Sequence, residues 1–156
     1  MTTESIPGPE LGQLTDEMPA PGTLTAPQRQ GEACVWCAVG ADVGDGLRPL
    51  AFAGEQPPSA CRRCWTIRLR SLRTYAAWRE HADTCWFCAS SRCAAARPLA
   101  AAHTAARAEV TGDPEYCARC RGTLLVTHDN VVPFIREGLS GLYRAYAHTV
   151  CPPAYL

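Results

Sequence analysis

Eight of the ten cysteines in this 156-residue chain fall into four C-x-x-C pairs: Cys34 and Cys37, Cys61 and Cys64, Cys85 and Cys88, Cys117 and Cys120. Two thiolates separated by two residues converge readily on one tetrahedral cation, so this is metal-site spacing. Spacers of 23 residues between the first two pairs and 28 between the last two suggest two sequential sets. Cys34, Cys37, Cys61 and Cys64 form the first; Cys85, Cys88, Cys117 and Cys120 form the second. Each is expected to hold one zinc ion through four sulfurs, giving two zinc ions per chain. An iron–sulfur cluster and C-x-x-C redox chemistry are the alternatives, but neither explains why pairs arrive in twos with a helical segment after the second. A cross-brace joining first with third and second with fourth pairs is the other way to divide the ligands. The 20 residues from Trp65 to Thr84 already fill a helix, which favours sequential sites.

That helix positions the second pair. Nothing from Cys61 to His81 breaks it, and Ser59 stands at an N-cap position before it. At 100° per residue Trp65, Leu69, Leu72 and Ala76 share one face, while Arg63, Thr66, Arg70, Arg73 and Thr74 form a basic flank. Ligands one turn apart at a helix N-terminus point the same way, and the positive helix end favours thiolates. Between the pairs, turn-rich residues 40–46, the apolar stretch Leu47 to Phe52 and the turn Gly54 to Ser59 read as a hairpin.

Downstream the arrangement recurs: Cys34-Val-Trp-Cys37-Ala38 matches Cys85-Trp-Phe-Cys88-Ala89, and Arg48-Pro-Leu-Ala51 matches Arg97-Pro-Leu-Ala100. First pair on a turn, hairpin, second pair at a helix start: this order resembles a treble-clef zinc finger over Cys34 to His81 and again over Cys85 to His148. The resemblance implies structural zinc. Ala38 and Ala89 stand where such knuckles commonly carry a glycine at positive φ. The expected fold is therefore small, α+β and zinc-stabilised, with two tandem treble-clef-like modules at residues 33–84 and 85–156. In the second, local propensity over Ala94 to Ala108 favours a helix. Pro133 is read as starting a last helix with an apolar stripe of Ile135, Leu139, Leu142 and Tyr146.

Residues 1–32 carry five prolines and five acids against Arg29 alone, no aromatic residue and no sustained apolar period, and read as a disordered acidic tail. Much of the 47% hydrophobic composition is alanine, so a large aliphatic core is not expected and metal must supplement it. No signal-peptide pattern or membrane-length apolar run is present, which places the chain in a reducing cytoplasm where paired cysteines bind metal. Cys93 and Cys151 are left as small buried residues, with a shared third site or a redox pair as the alternatives. His81 and His148 are read as helix-ending cations rather than ligands.

Catalysis is not expected. HNH-type nucleases built on treble clefs need a hairpin histidine, which the first module lacks, and no P-loop, nucleophile elbow or H-E-x-x-H occurs. Two binding classes remain. A DNA-binding regulator or accessory factor would use Arg62, Arg63, Arg70 and Arg73 on phosphates or guanine edges. A protein-interaction adaptor would instead present Trp36, Trp65, Trp78, Trp86 and Phe87 on a zinc-rigidified platform. The concentrated basic flank favours nucleic acid.

Overall fold

Prolines that read as marks of disorder instead sit where helices begin. The computed structural model describes residues 8–41, 46–50, 57–89, 93–110, 117–124, 131–138 and 141–151. Helix α1 (Gly8–Asp16) has Pro9 in its first turn, and Pro21 and Pro27 lie at the starts of a 3₁₀ turn (Pro21–Thr23) and of the short helix α2 (Ala26–Arg29). At a helix start the missing N–H of proline costs nothing. Leu11, Leu14 and Leu24 are buried, Leu14 completely. Residues 8–32 are thus not the disordered tail expected of residues 1–32.

The chain divides into two units, Met1–Leu69 and Arg70–Leu156. In the first, strand β1 (Leu47–Pro49) pairs antiparallel with β2 (Ser59–Cys61), and helix α3 (Arg62–Thr84) begins where β2 ends. The expected hairpin is present, although Ala51 and Phe52 of the expected strand lie outside the described residues. Ser59 belongs to β2, with its hydroxyl donating to Pro57 O at 3.2 Å, and does not cap the helix. The core gathers Leu14, Val35, Leu50, Ala60, Trp65 and Leu69.

Polar contacts tie the N-terminal segment to this core. Gln28 Oε1 accepts from Thr25 N at 2.9 Å, closing a capping box over α2. Its Nε2 donates to the carbonyls of Cys34 and Val35 at 3.1 and 3.0 Å. Thr15 Oγ1 donates to Leu50 O at 2.8 Å, and Trp36 Nε1 to Glu17 O at 3.2 Å. The Arg68 guanidinium lies 4.4 Å from the Trp36 ring centroid and 3.3 Å from the Glu17 carboxylate. Gly31, at φ +73°, passes so close to Pro57 that an added Cβ would lie 2.6 Å from that carbonyl oxygen.

In the second unit, the later turns of α3 bury Leu72, Tyr75 and Trp78, whereas Ala76 is exposed. Helix α4 (Ala96–Ala108) forms as its alanine content predicts, burying Ala96, Ala100, His103 and Ala106. Beyond Cys120 the expected C-terminal helix is absent: β3 (Val131–Gly138) and β4 (Gly141–His148) form an antiparallel hairpin with Gly138 opposite Gly141. Val131, Val132, Phe134, Ile135, Tyr143 and Tyr146 are β-branched or aromatic, and the two glycines flank a two-residue connection. Leu139, one member of the expected stripe, lies outside the described residues. Tyr75, Trp78, His103 and Tyr146 pack ring against ring. Within that core the Ser71 carbonyl faces His103 Nδ1 at 3.2 Å, so Nδ1 carries the proton and Nε2 accepts from the Tyr146 hydroxyl at 2.5 Å.

Candidate metal centres

The first set forms as the spacing predicts. Cys34 to Cys37 make a knuckle in which Cys34 N donates to Val39 O and Ala38 N donates to Cys34 O, both at 2.8 Å. This closure puts Ala38 at φ 59°, so alanine occupies the left-handed position where glycine is commoner. Val35 N donates to Ser59 O at 2.9 Å, which brings the end of β2, and with it Cys61, beside the knuckle. Cys61 precedes the first residue of α3 and its sulfur accepts from Cys64 N at 3.5 Å, the arrangement of a thiolate N-cap. The ligand atoms of Cys34, Cys37, Cys61 and Cys64 lie within 4.8 Å of one another.

The second expected set does not form. Cys85 and Cys88 do not meet Cys117 and Cys120; they join His81 and Cys93, while Cys117 and Cys120 join His148 and Cys151. Two expected sites become three, one of four cysteines and two of three cysteines and a histidine. His81, near the C-terminal end of α3, and Cys85 are held by Cys85 N donating to His81 O at 3.0 Å. The 3₁₀ turn Trp86–Ala89 then carries Cys88, with Cys88 N donating to Cys85 O at 3.0 Å. Cys93 stands before α4 and its sulfur accepts from Ala96 N at 3.4 Å.

The third set repeats the knuckle of the first, bond for bond. Cys117 N donates to Gly122 O at 2.8 Å and Arg121 N to Cys117 O at 2.9 Å, with Arg121 at φ 63°. Ala118 N donates to Tyr146 O at 2.8 Å, as Val35 N does to Ser59 O. Cys117 therefore corresponds to Cys34, not to Cys61, and His148-Thr-Val-Cys151 takes the place of Cys61-Arg-Arg-Cys64. Each time a knuckle is followed by a hairpin whose second strand ends on the second ligand pair.

The donor atoms fit a zinc ion. Four bonds of ~2.3 Å to sulfur and ~2.05 Å to nitrogen in a tetrahedron require S···S edges of about 3.8 Å and S···N edges of about 3.6 Å. The structure has Cys37–Cys61 at 3.7 Å, Cys85–Cys93 at 3.9 Å and Cys117–Cys151 at 3.8 Å. His148 Nδ1 lies 3.5 Å from Cys120 Sγ and 3.6 Å from Cys151 Sγ. His81 Nε2 is 3.1 Å from Cys93 Sγ, tighter than the ideal edge. All ten cysteines are free thiols, and these separations are far beyond the ~2.05 Å of a disulfide.

Electrostatics within each set call for a cation. In the first, burial works against ionisation of Cys34, but N–H groups of Cys61, Cys37 and Trp36 outweigh it and hold the thiol below its usual range. Cys64 is pushed upward by burial and by the charge on Cys34. Cys93 is lowered to about 6, first by the Ala96 N–H and then by His81, while burial raises Cys88. In the third set burial opposes ionisation of Cys117, yet N–H groups of Cys120, His148 and Arg119 bring it to about 6. Burial, then Cys120 and Cys117, push Cys151 up to about 11. Backbone donors thus prepare one thiolate per set, while Cys64 in the first, Cys88 in the second and Cys151 in the third resist ionising beside it. A divalent ion removes that conflict, which is why thiolate sites deprotonate as they load.

His81, Cys93, His148 and Cys151 are the candidate ligands that pair-by-pair reading misses. His148-x-x-Cys151 has the same two-residue spacer as the cysteine pairs, and Cys93 closes a run of His81, Cys85 and Cys88 in which every gap is under one and a half helical turns. The arginines expected to face nucleic acid, Arg62, Arg63, Arg70 and Arg73, are exposed on α3, and Arg70 is ion-paired with Glu109. Of the aromatics, Trp65 and Trp78 are buried and Trp36 is partly covered by Arg68, whereas Trp86 is 77% and Phe87 54% exposed. No described helix is long and apolar enough to cross a membrane. Comparison with protein-family models, curated proteins and solved structures finds no match to this chain.

Proposed function

We propose that this chain is a non-enzymatic protein-interaction adaptor, folded around three structural zinc ions, one held by four cysteines and two held by three cysteines and a histidine each. The first site, with its knuckle, hairpin and helix in that order, is best described as treble-clef-like, and the third as a related knuckle and hairpin that lacks the following described helix. The observation that carries the adaptor reading is the exposed pair Trp86 and Phe87, whose rings pack with centroids 3.9 Å apart at a tilt of 31°. It stands on a turn whose two ends, Cys85 and Cys88, are ligands of one site, so the metal would fix an exposed aromatic surface in place. Rigid exposed aromatics contribute contact area at low entropic cost.

The alternative, nucleic-acid binding through Arg62, Arg63, Arg70 and Arg73, has less support. Three divalent cations held by ten thiolates subtract four charges from a chain whose formal charge is zero, leaving a net of −4. Proteins that bind duplex nonspecifically do so with constants of roughly 10⁻⁴ to 10⁻⁶ M at physiological salt. The adaptor reading expects the zinc-loaded protein to bind labelled duplex and oligo-dT more weakly than that range. Micromolar binding that weakens when Arg63, Arg70 and Arg73 are replaced by alanine would overturn it.

A further inference from the structure

Gln28 is buried, and its side-chain amide is engaged at both ends. Oε1 accepts from Thr25 N and Thr25 Oγ1, both at 2.9 Å, while Nε2 donates to Cys34 O at 3.1 Å and to Val35 O at 3.0 Å. Two carbonyls on one side demand the NH₂ end and the Thr25 N–H demands the oxygen, so the partners fix which way the amide faces. The capping box of α2 needs only Oε1. Both Nε2 bonds go to the backbone between the ligands Cys34 and Cys37.

Those two carbonyls belong to successive peptide planes of the knuckle. The plane of Cys34 O and Val35 N is held at both ends, by Gln28 Nε2 and by Ser59 O, which accepts from Val35 N at 2.9 Å. Cys34 O has a second donor in Ala38 N, whereas among the described residues Val35 O depends on Gln28. The far end of the Val35 plane is the Trp36 N–H, one of the backbone donors to Cys34 Sγ. In a trans peptide C=O and N–H point in opposite directions, so holding Val35 O aims the Trp36 N–H at the sulfur.

We propose that Gln28 is a positioning residue of the first metal site: it locks the two peptide planes between Cys34 and Trp36, keeps the Trp36 N–H on Cys34 Sγ, and thereby slows loss of zinc from Cys34, Cys37, Cys61 and Cys64. This rests on zinc at that set, as proposed above. It gives Thr25 and Gln28 a part in retaining the ion although neither is a ligand, in the way that partners of metal ligands orient them elsewhere.

The test uses the zinc-loaded full chain with excess EDTA and N-ethylmaleimide, and peptide mapping reads how fast each cysteine set is alkylated as its ion leaves. Gln28→Glu keeps an oxygen toward Thr25 and sets another against the two carbonyls; Gln28→Met removes both polar ends at similar length and serves if the first variant does not fold. Leu14→Ala removes packing from the same unit without touching the Gln28 bonds, and so supplies the comparison for lost stability alone. The Gln28 variants are expected to release the first set roughly 10- to 100-fold faster than the parent, the range by which such partners alter metal affinity, with the sets containing Cys93 and Cys151 at parental rates. The Trp36 amide proton should exchange with solvent faster in the Gln28 variants but not in Leu14→Ala. Parental release of the first set from Gln28→Met, or equally fast release from Leu14→Ala, overturns the positioning role and leaves the three-zinc reading intact. Immediate alkylation of the first set in the parent chain without EDTA overturns zinc at that set, and the positioning role with it.

Discussion

Replacing Leu14 with alanine tests whether the N-terminal segment belongs to the first metal unit. Leu14 is fully buried in α1, and alanine is the better helix former, so the substitution removes packing without harming the helix. Buried leucine-to-alanine changes cost about 2–5 kcal/mol, the cavity term adding to the lost transfer energy. Because Thr15 and Glu17 follow in the same segment and bond to Leu50 and Trp36, α1 has little room to collapse into the gap, and about 3 kcal/mol or more is expected. A change on the same helix with the opposite sign supplies the control. Gly12 is exposed in α1 with nothing within 4 Å of an added Cβ, so Gly12→Ala should stabilise by about 0.5–1 kcal/mol. Urea unfolding of zinc-loaded protein, followed by near-ultraviolet circular dichroism, reads both effects. If Leu14→Ala and Gly12→Ala each stayed within about 0.5 kcal/mol of the parent, residues 8–16 would behave as an unstructured tail and the packing described for them would be wrong.

Ligand substitutions separate the three-site grouping from a two-site one. Cys93→Ser and Cys151→Ser should each lower the zinc content by about one ion and leave the other sites loaded; unchanged content in either variant would mean that its cysteine is a spectator. Gly31→Ala should destabilise the first unit by about 2 kcal/mol or more in the same urea assay. It imposes an L side chain at φ +73° and drives a Cβ to 2.6 Å from Pro57 O, so a neutral result would contradict the described chain path there.

What the sequence disclosed depended on whether a local signal had one meaning. Cys34, Cys37, Cys61 and Cys64 are legible because the helix that carries Cys64 and the hairpin that ends at Cys61 follow from short-range patterns. Cys117-Ala-Arg-Cys120 was ambiguous. Its arginine invites alignment with Cys61-Arg-Arg-Cys64, yet the backbone of residues 117–122 closes like that of 34–39, with Arg121 at positive φ and Gly122 accepting the last bond. Side-chain likeness and backbone likeness pointed to different partners, and the backbone decides where sulfurs point. Histidine was undervalued for a related reason: an imidazole at the end of a helix satisfies a dipole argument and a ligand argument equally well, and only the position of Cys93 and Cys151 distinguishes them. Gly138 and Gly141 read as flaws in a helix but mark the ends of a hairpin. In the first 32 residues, proline content outweighed the three-residue spacing of Leu11 and Leu14, although proline at a helix start is no obstacle to order.

Zinc analysis combined with X-ray absorption at the zinc edge of the purified full chain tests the three-site assignment most directly. Ten sulfurs and two nitrogens shared among three ions give an average of about 3.3 sulfurs at ~2.3 Å and 0.7 nitrogens at ~2.05 Å per zinc. Three zinc ions per chain with that mixed shell is the expected result. Two zinc ions per chain with four sulfurs each would contradict it and restore the pairing of Cys85 and Cys88 with Cys117 and Cys120.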